Sequence, residues 1–218
     1  MAPEPLTAER IYRRLKADIL DGLFLPGMQL IVQNTADAYG VSISPVRDCA
    51  HRLVGERLLE LNHGGGFSVP QLSAHALRDL YVWHGYLARH ALKAKATLAD
   101  DPGPMAMVER GGPHHPTIIR DATAWLFGRI GARPGNQAHL TSILTAGDML
   151  SVARLHEYEV LSNVEGELIG IWKLINAGRD ADIREAIWAY HRRRIRRASA
   201  IANRISMRER GPEMPEQA

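Results

Sequence analysis

The pattern of apolar and polar positions divides the chain near residue 70. Before that point, short helical patterns alternate with turn signals and end in two short strand-like segments. After it, apolar residues recur at spacings of three and four almost to the end, which is the periodicity of amphipathic helices. We therefore expect a mainly α-helical protein with two domains, residues 1–70 and residues 71–218.

The most informative stretch of the first domain is residues 40–54, GVSISPVRDCAHRLV. Gly40 favours a turn, and either Ser42 or Ser44 can cap a helix by accepting a backbone N–H. Pro45 suits the first helical turn, where its missing N–H costs nothing. The stretch therefore predicts a short helix that begins directly after a glycine turn.

The two faces of this predicted helix differ in character. Apolar residues recur at helical spacing on one face, namely Val46, Cys49, Ala50, Leu53 and Val54. Arg47 and His51, four residues apart, share the opposite face. A helix with an apolar back and a basic front suits a DNA major groove, although an ordinary amphipathic surface helix would show the same pattern.

The surrounding elements complete a winged helix-turn-helix. Helical patterns precede the stretch, ending near Gly22 and covering residues 33–39, and strand-like residues 58–61 and 67–69 flank a glycine-rich turn after it. At this turn, His63 to Gly66, the glycines allow the main chain to approach a phosphate backbone or a minor groove. A plain flexible hairpin is the alternative.

Several motifs of this domain resemble the GntR family of bacterial transcription regulators. The family pattern is roughly PGxxL, then GVSRTPVREALRRL, then a wing that ends GxGxFV. This chain has LPGMQL at residues 25–30, GVS at 40–42, SPVRD at 44–48, and a glycine-rich turn before FSV at 67–69. The resemblance covers nearly all of residues 6–70, in the same order and at the same spacings.

The resemblance implies a role for each matching position. Arg47 corresponds to an arginine that reads a guanine edge, for which the guanidinium geometry is suited, and Ser44 to a threonine that contacts phosphate. His63 and Gly64 correspond to wing residues near the minor groove, and Asn34 to a DNA-contacting arginine of some members. The candidate DNA-binding residues are Asn34, Ser42, Ile43, Ser44, Arg47, His51, His63, Gly64 and Gly65.

Two positions depart from the family pattern. Ile43 replaces the arginine of the family's SRTPVRE motif, and Gly65 replaces a frequent wing arginine. Because each change removes a cationic contact, we expect DNA affinity to be weaker and less dependent on salt than in a typical member. Ile43 could instead contact a thymine methyl group and so shift the preferred sequence.

The distribution of charge adds a second reason to expect weak DNA affinity. The formal net charge is +3, but residues 1–70 hold seven Lys/Arg against eight Asp/Glu. Most of the basic excess lies near the C-terminus, in Arg192, Arg193, Arg194, Arg196, Arg197, Arg204, Arg208 and Arg210. These arginines could form a solvated face that pairs with acidic residues of neighbouring helices, contact DNA non-specifically, or face an anionic membrane.

From residue 71 onward the expected structure is an antiparallel helical bundle. Helical patterns run to about Ala96 and then cover residues 117–131, 136–155, 156–177 and 181–206, with a Gly/Pro-rich loop at 99–116. All four tryptophans, Trp83, Trp125, Trp172 and Trp188, lie here, and we expect them to build the core. The order resembles the FCD-type ligand-binding domain of the FadR-like branch of the GntR family, as do Gly135-Asn136 before a long helix and Asp180 eleven residues before His191.

Most members of that branch bind a divalent metal through one aspartate and three histidines, and the metal holds an effector carboxylate. Here the aspartate and first histidine positions fall at Thr123 and Phe127, and the second histidine position falls at Leu168 or Ile169. Only His191 remains, and a single imidazole is not a metal site. We therefore expect no cofactor and a family-type metal site that has been lost.

The former metal cavity is then expected to bind an apolar or carboxylate effector directly. The candidate effector-binding residues are His84, Thr123, Phe127, Ile169 and His191. His84 stands where many members carry a pocket arginine. Both histidines have a structural alternative, because His191 could be a hydrogen-bonded core histidine and His84 a half-buried helix histidine.

These features predict a ligand-responsive, DNA-binding transcription regulator, most simply a repressor. It would act as a homodimer on a near-palindromic operator in double-stranded DNA. The alternative is a binding module that has lost specific DNA reading and acts through protein or non-specific nucleic-acid contacts. No nucleophile–base pair, metal-ligand spacing or phosphate loop points to an enzyme, since Gly64-Gly65-Gly66 precedes a strand.

The compartment is predicted from cysteine content and hydropathy. Cys49 is the only cysteine, so an internal disulfide is excluded, and its place on an apolar face favours a small hydrophobe over a reactive thiol. The N-terminal residues show no secretory signal, and no apolar run is long enough to span a bilayer. We therefore expect a cytoplasmic protein without a membrane partner.

Overall fold

A computed structural model describes residues 8–94, 103–110 and 115–209 of the chain. The chain forms two compact units, Met1–Leu72 and Ser73–Ala218. The predicted end of the first bundle helix near Ala96, parts of the predicted loop at 99–116, and Arg210 lie outside the described residues.

The first unit is a winged helix-turn-helix. Its elements are α1 (Ala8–Leu20), β1 (Gln29–Leu30), α2 (Val32–Tyr39), α3 (Ile43–Gly55), β2 (Glu60–Leu61) and β3 (Phe67–Ser68). The three strands form an antiparallel sheet in the order β1-β3-β2. The three helices and the hairpin were predicted, whereas β1 was not, and it adds a third strand to the sheet.

The core of this unit lies between α1 and α3. It contains Ile11, Leu15 and Ile19 from α1 and Val46, Cys49, Ala50 and Leu53 from α3, all buried. Gly40 connects α2 to α3 with a φ of +68°, a left-handed conformation that a residue with a Cβ adopts only at a cost. The sharp turn at Gly40 thus fixes the direction in which α3 leaves α2.

Polar contacts fix α3 against α1 from the side. The Arg52 guanidinium lies 3.0 Å from a Glu9 carboxylate oxygen and 3.5 Å from the centre of the Tyr12 ring. The Tyr12 hydroxyl donates to Glu56 at 2.6 Å, and Lys16 pairs with the same carboxylate at 2.8 Å. Arg52 and Glu56 therefore serve the fold.

All regular secondary-structure elements among the described residues of the second unit are helices. Its helices are α4 (Ala74–Ala91), α5 (Met105–Glu109), α6 (Pro116–Ala132), α7 (Gln137–Met149), α8 (Ser151–His156), α9 (Val164–Asn176) and α10 (Asp180–Glu209). The single helix predicted over 136–155 is wrong, because the chain breaks at Leu150 into α7 and α8. The helix predicted from 156 begins only at Val164, after a 3-10 turn, Glu157–Glu159.

The core of the second unit is centred on α4 and the 30-residue α10. The expectation that all four tryptophans build this core is wrong for Trp83. Trp172 is buried and Trp125 packs against it with ring centres 5.3 Å apart, but Trp83 is 52% exposed. The helical periodicity of α4 continues through Trp83, but Trp83 lies on the outer side of the helix.

The arginine run of α10 is partly solvated and partly buried. The expected pairing with acidic residues of neighbouring elements occurs, since Arg193 pairs with Glu167 and Arg204 with Glu159. A wholly solvated face is wrong, however, because Arg194 is only 1% exposed. The side chains of Arg208 and Arg210 lie outside the described residues.

Candidate functional site

The outward face of α3 carries most of the candidate DNA-binding residues. Ile43, Ser44, Arg47 and His51 are all exposed, and their spacing of three and four places them in one stripe along the helix. Arg47 makes no hydrogen bond or ion pair to another described residue. Since Arg52 is held by Glu9 and Tyr12, Arg47 is the arginine of this helix that can reach a ligand.

The first turn of α3 also has unused hydrogen-bonding capacity. Ser42 occupies the N-cap position, but its side chain forms no capping hydrogen bond, and Ser44 lies inside the first turn. The N–H groups at a helix N-terminus have no partner within the helix and carry partial positive charge. Two exposed serine hydroxyls at this end are therefore placed as phosphate contacts would require.

The hairpin between β2 and β3 forms the wing. Its tip is closed by hydrogen bonds from the Asn62 N–H to the Gly66 carbonyl at 3.2 Å and from the Gly65 N–H to the Asn62 carbonyl at 2.9 Å. Gly65 and Gly66 have φ values of +84° and +85°, a left-handed conformation that glycine adopts at little cost. His63 and Gly64 are exposed at this tip.

One ring contact joins the helix to the base of the wing. The His51 ring meets Phe67 edge to face, with ring centres 4.9 Å apart. His51 is thus held by the wing strand while remaining exposed. Asn34, another candidate DNA-binding residue, is also exposed and lies on the first turn of α2.

Three of the five candidate effector residues meet in the core of the second unit. His84 on α4 and His191 on α10 are joined at 2.9 Å between Nδ1 and Nε2. Phe127 on α6 packs edge to face against both rings, with centres 4.6 Å from His84 and 5.3 Å from His191. Because each of the three is at most 1% exposed, they form one closed cluster.

The hydrogen bonds of this cluster fix the tautomers of both histidines. His191 Nδ1 lies 2.7 Å from the Ile187 carbonyl oxygen and must donate to it. In a neutral ring its Nε2 then accepts, so His84 Nδ1 is the donor of the 2.9 Å bond. His84 Nε2 is left as an acceptor, and it faces Arg154 Nη2 at 3.4 Å.

Arg154 is the member of the cluster that the sequence did not reveal. It is 3% exposed, and its Nη1 donates to the Gly147 carbonyl at 3.3 Å. Its Nε has no partner, and no carboxylate of a described residue pairs with it. A single arginine in a helical pattern gave no signal of burial, because only the packing of α8 against α6 and α10 brings Arg154 to His84.

The other two candidates have different surroundings. Thr123 is buried one turn before Phe127, and its hydroxyl donates to the Ile119 carbonyl at 2.7 Å. Ile169 lies half-buried on α9, where its neighbour Leu168 is the buried residue. No group of three or more His, Cys, Asp or Glu side chains that could hold a metal occurs among the described residues.

Burial strongly affects the titration of the two histidines. It lowers the pKa of His191 to about 3 and lowers that of His84 well below its ordinary value, the Arg154 cation acting in the same direction on His84. Both rings are therefore neutral in the folded protein at neutral pH. They become fully protonated near pH 5 only in the unfolded chain.

This difference predicts that the folded protein becomes less stable as the pH decreases. Because both pKa values are lower in the folded state, the stabilisation is complete above about pH 6.5 and is lost as pH falls toward the folded values. The free energy of unfolding of the second unit should fall by about 1.4 kcal/mol per pH unit for each ring between pH 6.5 and 5. Urea unfolding followed by tryptophan fluorescence measures it, since all four tryptophans lie in this unit.

Two variants isolate the contribution of the buried pair. The double variant His84→Gln/His191→Gln should show a much flatter dependence on pH. His75→Gln, which removes an exposed histidine of α4, should keep the original slope. An unchanged slope in the double variant would show that other groups cause the loss of stability.

The comparison of the sequence with known families agrees with the geometry of the first unit. The profile of the family described as "Bacterial regulatory proteins, gntR family" matches residues 7–69. The matched range contains α3 with the exposed Arg47, the two serines at the start of this helix, Ser42 and Ser44, and the wing. The N-terminal unit is therefore similar to the GntR family over nearly all of its length, and we refer to it as the GntR unit.

Curated relatives match segments of this chain about as long as the GntR unit. The HTH-type transcriptional repressor GlaR of Escherichia coli (strain K12) is 33% identical over 70 residues, 32% of each chain. The HTH-type transcriptional regulator McbR of the same strain is 35% identical over 66 residues, 30% of each chain. YdhC of Bacillus subtilis (strain 168), an uncharacterized HTH-type regulator, is 33% identical over 72 residues. These matches span about a third of the length of each relative.

Solved structures show that the fold extends beyond the GntR unit. A putative GntR transcriptional regulator from Rhodococcus sp. RHA1 aligns with a TM-score of 0.72 and 17% identity, covering 88% of this chain and 97% of that one. The E. coli McbR/YncC structure aligns with a TM-score of 0.63 and 18% identity, covering 90% and 97%. The predicted fold class, a winged helix-turn-helix followed by a helical bundle, is confirmed.

None of the described helices is long and apolar enough to cross a membrane.

Proposed function

We propose that this protein is a cytoplasmic transcription regulator that binds an operator in double-stranded DNA through α3 and the wing. In this proposal it binds as a homodimer, so that two copies of α3 read the two halves of a near-palindrome. Its relatives include proteins named as HTH-type transcriptional regulators and one named as a repressor. We propose repression as the mode of action.

The observation that carries this proposal is the free guanidinium of Arg47. It stands on the exposed stripe of α3, whereas the other arginine of the helix is held by Glu9 and Tyr12. An arginine that has no protein partner can make the bidentate contact to guanine that specifies a base pair. Ser42 and Ser44 would hold phosphate at the helix start, and His63 and Gly64 would approach the minor groove.

The second unit would supply ligand sensing as an FCD-type domain of the FadR-like branch. Arg154 supports a carboxylate effector, because a buried cation without a carboxylate partner is costly unless an anion joins it. His84, His191, Phe127 and Thr123 would line this site. The cavity of about 50 Å³ that Arg154 lines is far smaller than ordinary ligand pockets, and it is lined by Glu157 and Glu165 but by none of these four residues. The effector would therefore enter the cluster only as the side chains of the cluster move apart.

Selection of bound fragments from a random DNA pool tests the DNA-binding part of this proposal. The purified full-length protein is incubated with the pool at fixed moderate salt, because affinity for DNA depends steeply on salt. A near-palindromic sequence should be enriched over successive rounds. An operator recovered in this way also becomes the probe for effectors, which would be recognised by release of the protein from DNA.

A specific alternative has its own support. Ile43 is 37% exposed at the position of a family arginine, and the wing tip at Gly65 carries no cation. If a folded dimer enriches no sequence with or without candidate carboxylates, the protein is instead a binding module that has lost specific DNA reading. Binding to random DNA with a steep salt dependence would then identify non-specific contact as its remaining mode.

A further inference from the structure

An open groove with aromatic walls lies on the outer side of the second unit. It has a volume of about 530 Å³ and runs between α4, α7 and the start of α10. Trp83, Tyr86, Leu87 and His90 line it from one face of α4, since their spacing of three and four places them together. Trp83 is 52% exposed and Tyr86 is 60% exposed, so two large rings face this space without cover from the described residues.

Every charged residue that lines the groove is basic. Arg89 and Lys93 stand on the α4 side and Arg184 on the α10 side, and no lining residue is acidic. The Arg89 guanidinium lies 5.0 Å from the ring centre of Trp188, which holds this cation beside the groove. The formal charge of the lining is therefore +3 when its two histidines, His90 and His139, are counted as neutral.

The inner end of the groove adds a histidine pair. The His90 and His139 rings lie with centres 5.3 Å apart. His139 Nε2 faces the Leu87 carbonyl oxygen at 3.0 Å, and its Nδ1 faces the Gly131 carbonyl oxygen at 3.3 Å. Because a neutral imidazole has a single N–H, it can donate to only one of these two carbonyls, and the shorter contact places the His139 ring against α4.

We propose that this groove binds an organic anion with a flat aromatic body, such as an aromatic carboxylate. The aromatic body would stack on Trp83 and Tyr86, and the anionic group would lie among Lys93, Arg184 and Arg89. The size suits such a ligand, because small-molecule sites commonly enclose about 300–1,000 Å³. The uniform basic charge selects an anion over a neutral or cationic analogue of the same shape.

This site is separate from the buried cluster around Arg154, and the proposal goes beyond DNA binding. It involves the second unit alone, so it holds whether or not α3 reads a specific operator. A result at this groove therefore neither supports nor opposes the assignment of the first unit.

A pair of matched probes tests the charge preference. Binding of 2-naphthoate and of 2-naphthamide, its neutral analogue, to the full-length protein is measured by calorimetry at low and moderate salt. We expect 2-naphthoate to bind roughly tenfold tighter at low salt. The difference should shrink as salt screens the exposed cations.

Matched variants then locate the binding site. Lys93→Gln/Arg184→Gln should weaken 2-naphthoate by roughly fivefold for each cation removed and leave 2-naphthamide unchanged. Arg192→Gln/Arg196→Gln removes the same charge from exposed positions of α10 outside the groove and should change neither probe. Trp83→Ala should weaken both probes by roughly tenfold through lost stacking.

Three results would overturn the proposal. Equal affinities for the two probes would remove the anion preference, and equal effects of the two double variants would place binding elsewhere. The third result has two parts: neither probe binds the original protein, and light scattering shows that Trp83→Ala changes the protein from a dimer to a monomer. In that case the aromatic face is covered by a second copy of the chain.

Discussion

Replacing Arg47 by alanine should abolish the preference of the protein for its operator while leaving the fold intact. The side chain is exposed on α3 and makes no hydrogen bond or ion pair to another described residue, so its loss removes no internal contact of this kind. A bidentate arginine–guanine contact contributes about 1–3 kcal/mol of discrimination. With one such contact in each half of a dimeric complex, operator affinity should fall roughly a hundredfold or more.

The measurement is fluorescence anisotropy with a duplex that carries the selected operator and a scrambled duplex of equal length. Arg47→Lys is the matched variant, because lysine keeps the charge but lacks the planar fork. We expect it to keep most of the affinity for scrambled DNA while losing most of the preference for the operator. Circular dichroism of both variants should match that of the original protein.

The outcome that contradicts this assignment is an alanine variant that retains the operator preference. Specificity would then come from another exposed residue of the stripe, with Ile43 on a thymine methyl group as the first candidate. An equal loss on operator and scrambled DNA would have a different meaning. It would place Arg47 on phosphate, where it positions the protein without reading the sequence.

The first unit was largely predictable because its signals are local. Gly40 and the apolar spacing through Leu53 each act within one or two helical turns, and these features fix α3 and its exposed face. The predicted serine cap is wrong in one respect, because Ser42 is the N-cap residue but its side chain forms no capping hydrogen bond. The missed strand β1 shows the limit of such signals. It is two residues long and exists through pairing with β3 almost forty positions later, which no short window of sequence contains.

The second unit was less predictable because its chemistry depends on packing. The spacing of α4 predicted a helix with His84 on its apolar face, but only the packing of the neighbouring helices buries His84 completely and leaves Trp83 exposed. The break at Leu150 is another case, since Gly147 is the only helix breaker nearby and it lies inside α7, three residues before the break. The basic run of α10 likewise does not reveal which arginine is buried.

Arg194 is that arginine, and its replacement by methionine should destabilise the second unit by about 3–5 kcal/mol. Its guanidinium donates to Glu157 at 2.8 Å and to Glu167 at 2.7 Å, and Glu157 also accepts from Tyr81 at 2.7 Å. Methionine keeps much of the volume but leaves the buried Glu157 carboxylate without its counter-charge. Although burial alone would lower the pKa of Arg194, Glu157 raises it, so the cation persists in the fold.

Urea unfolding followed by tryptophan fluorescence reports this loss for the second unit alone, since the first unit contains no tryptophan. The control is Arg192→Met, which changes an exposed arginine two positions away on the same helix and should alter stability by well under 1 kcal/mol. The double variant Glu157→Gln/Arg194→Met should recover part of the loss, because it also removes the buried negative charge.

A loss below about 1 kcal/mol for Arg194→Met would contradict the assignment, because it would mean that Glu157 finds water or protonates at little cost. Failure of the double variant to recover would have a more specific meaning. The cost would then come from the guanidinium's other contacts, its 3.3 Å approach to the Tyr190 ring and its bond to the Tyr190 carbonyl at 3.1 Å. Recovery is the expected result, because desolvation of an unpaired carboxylate is the largest penalty that the single variant introduces.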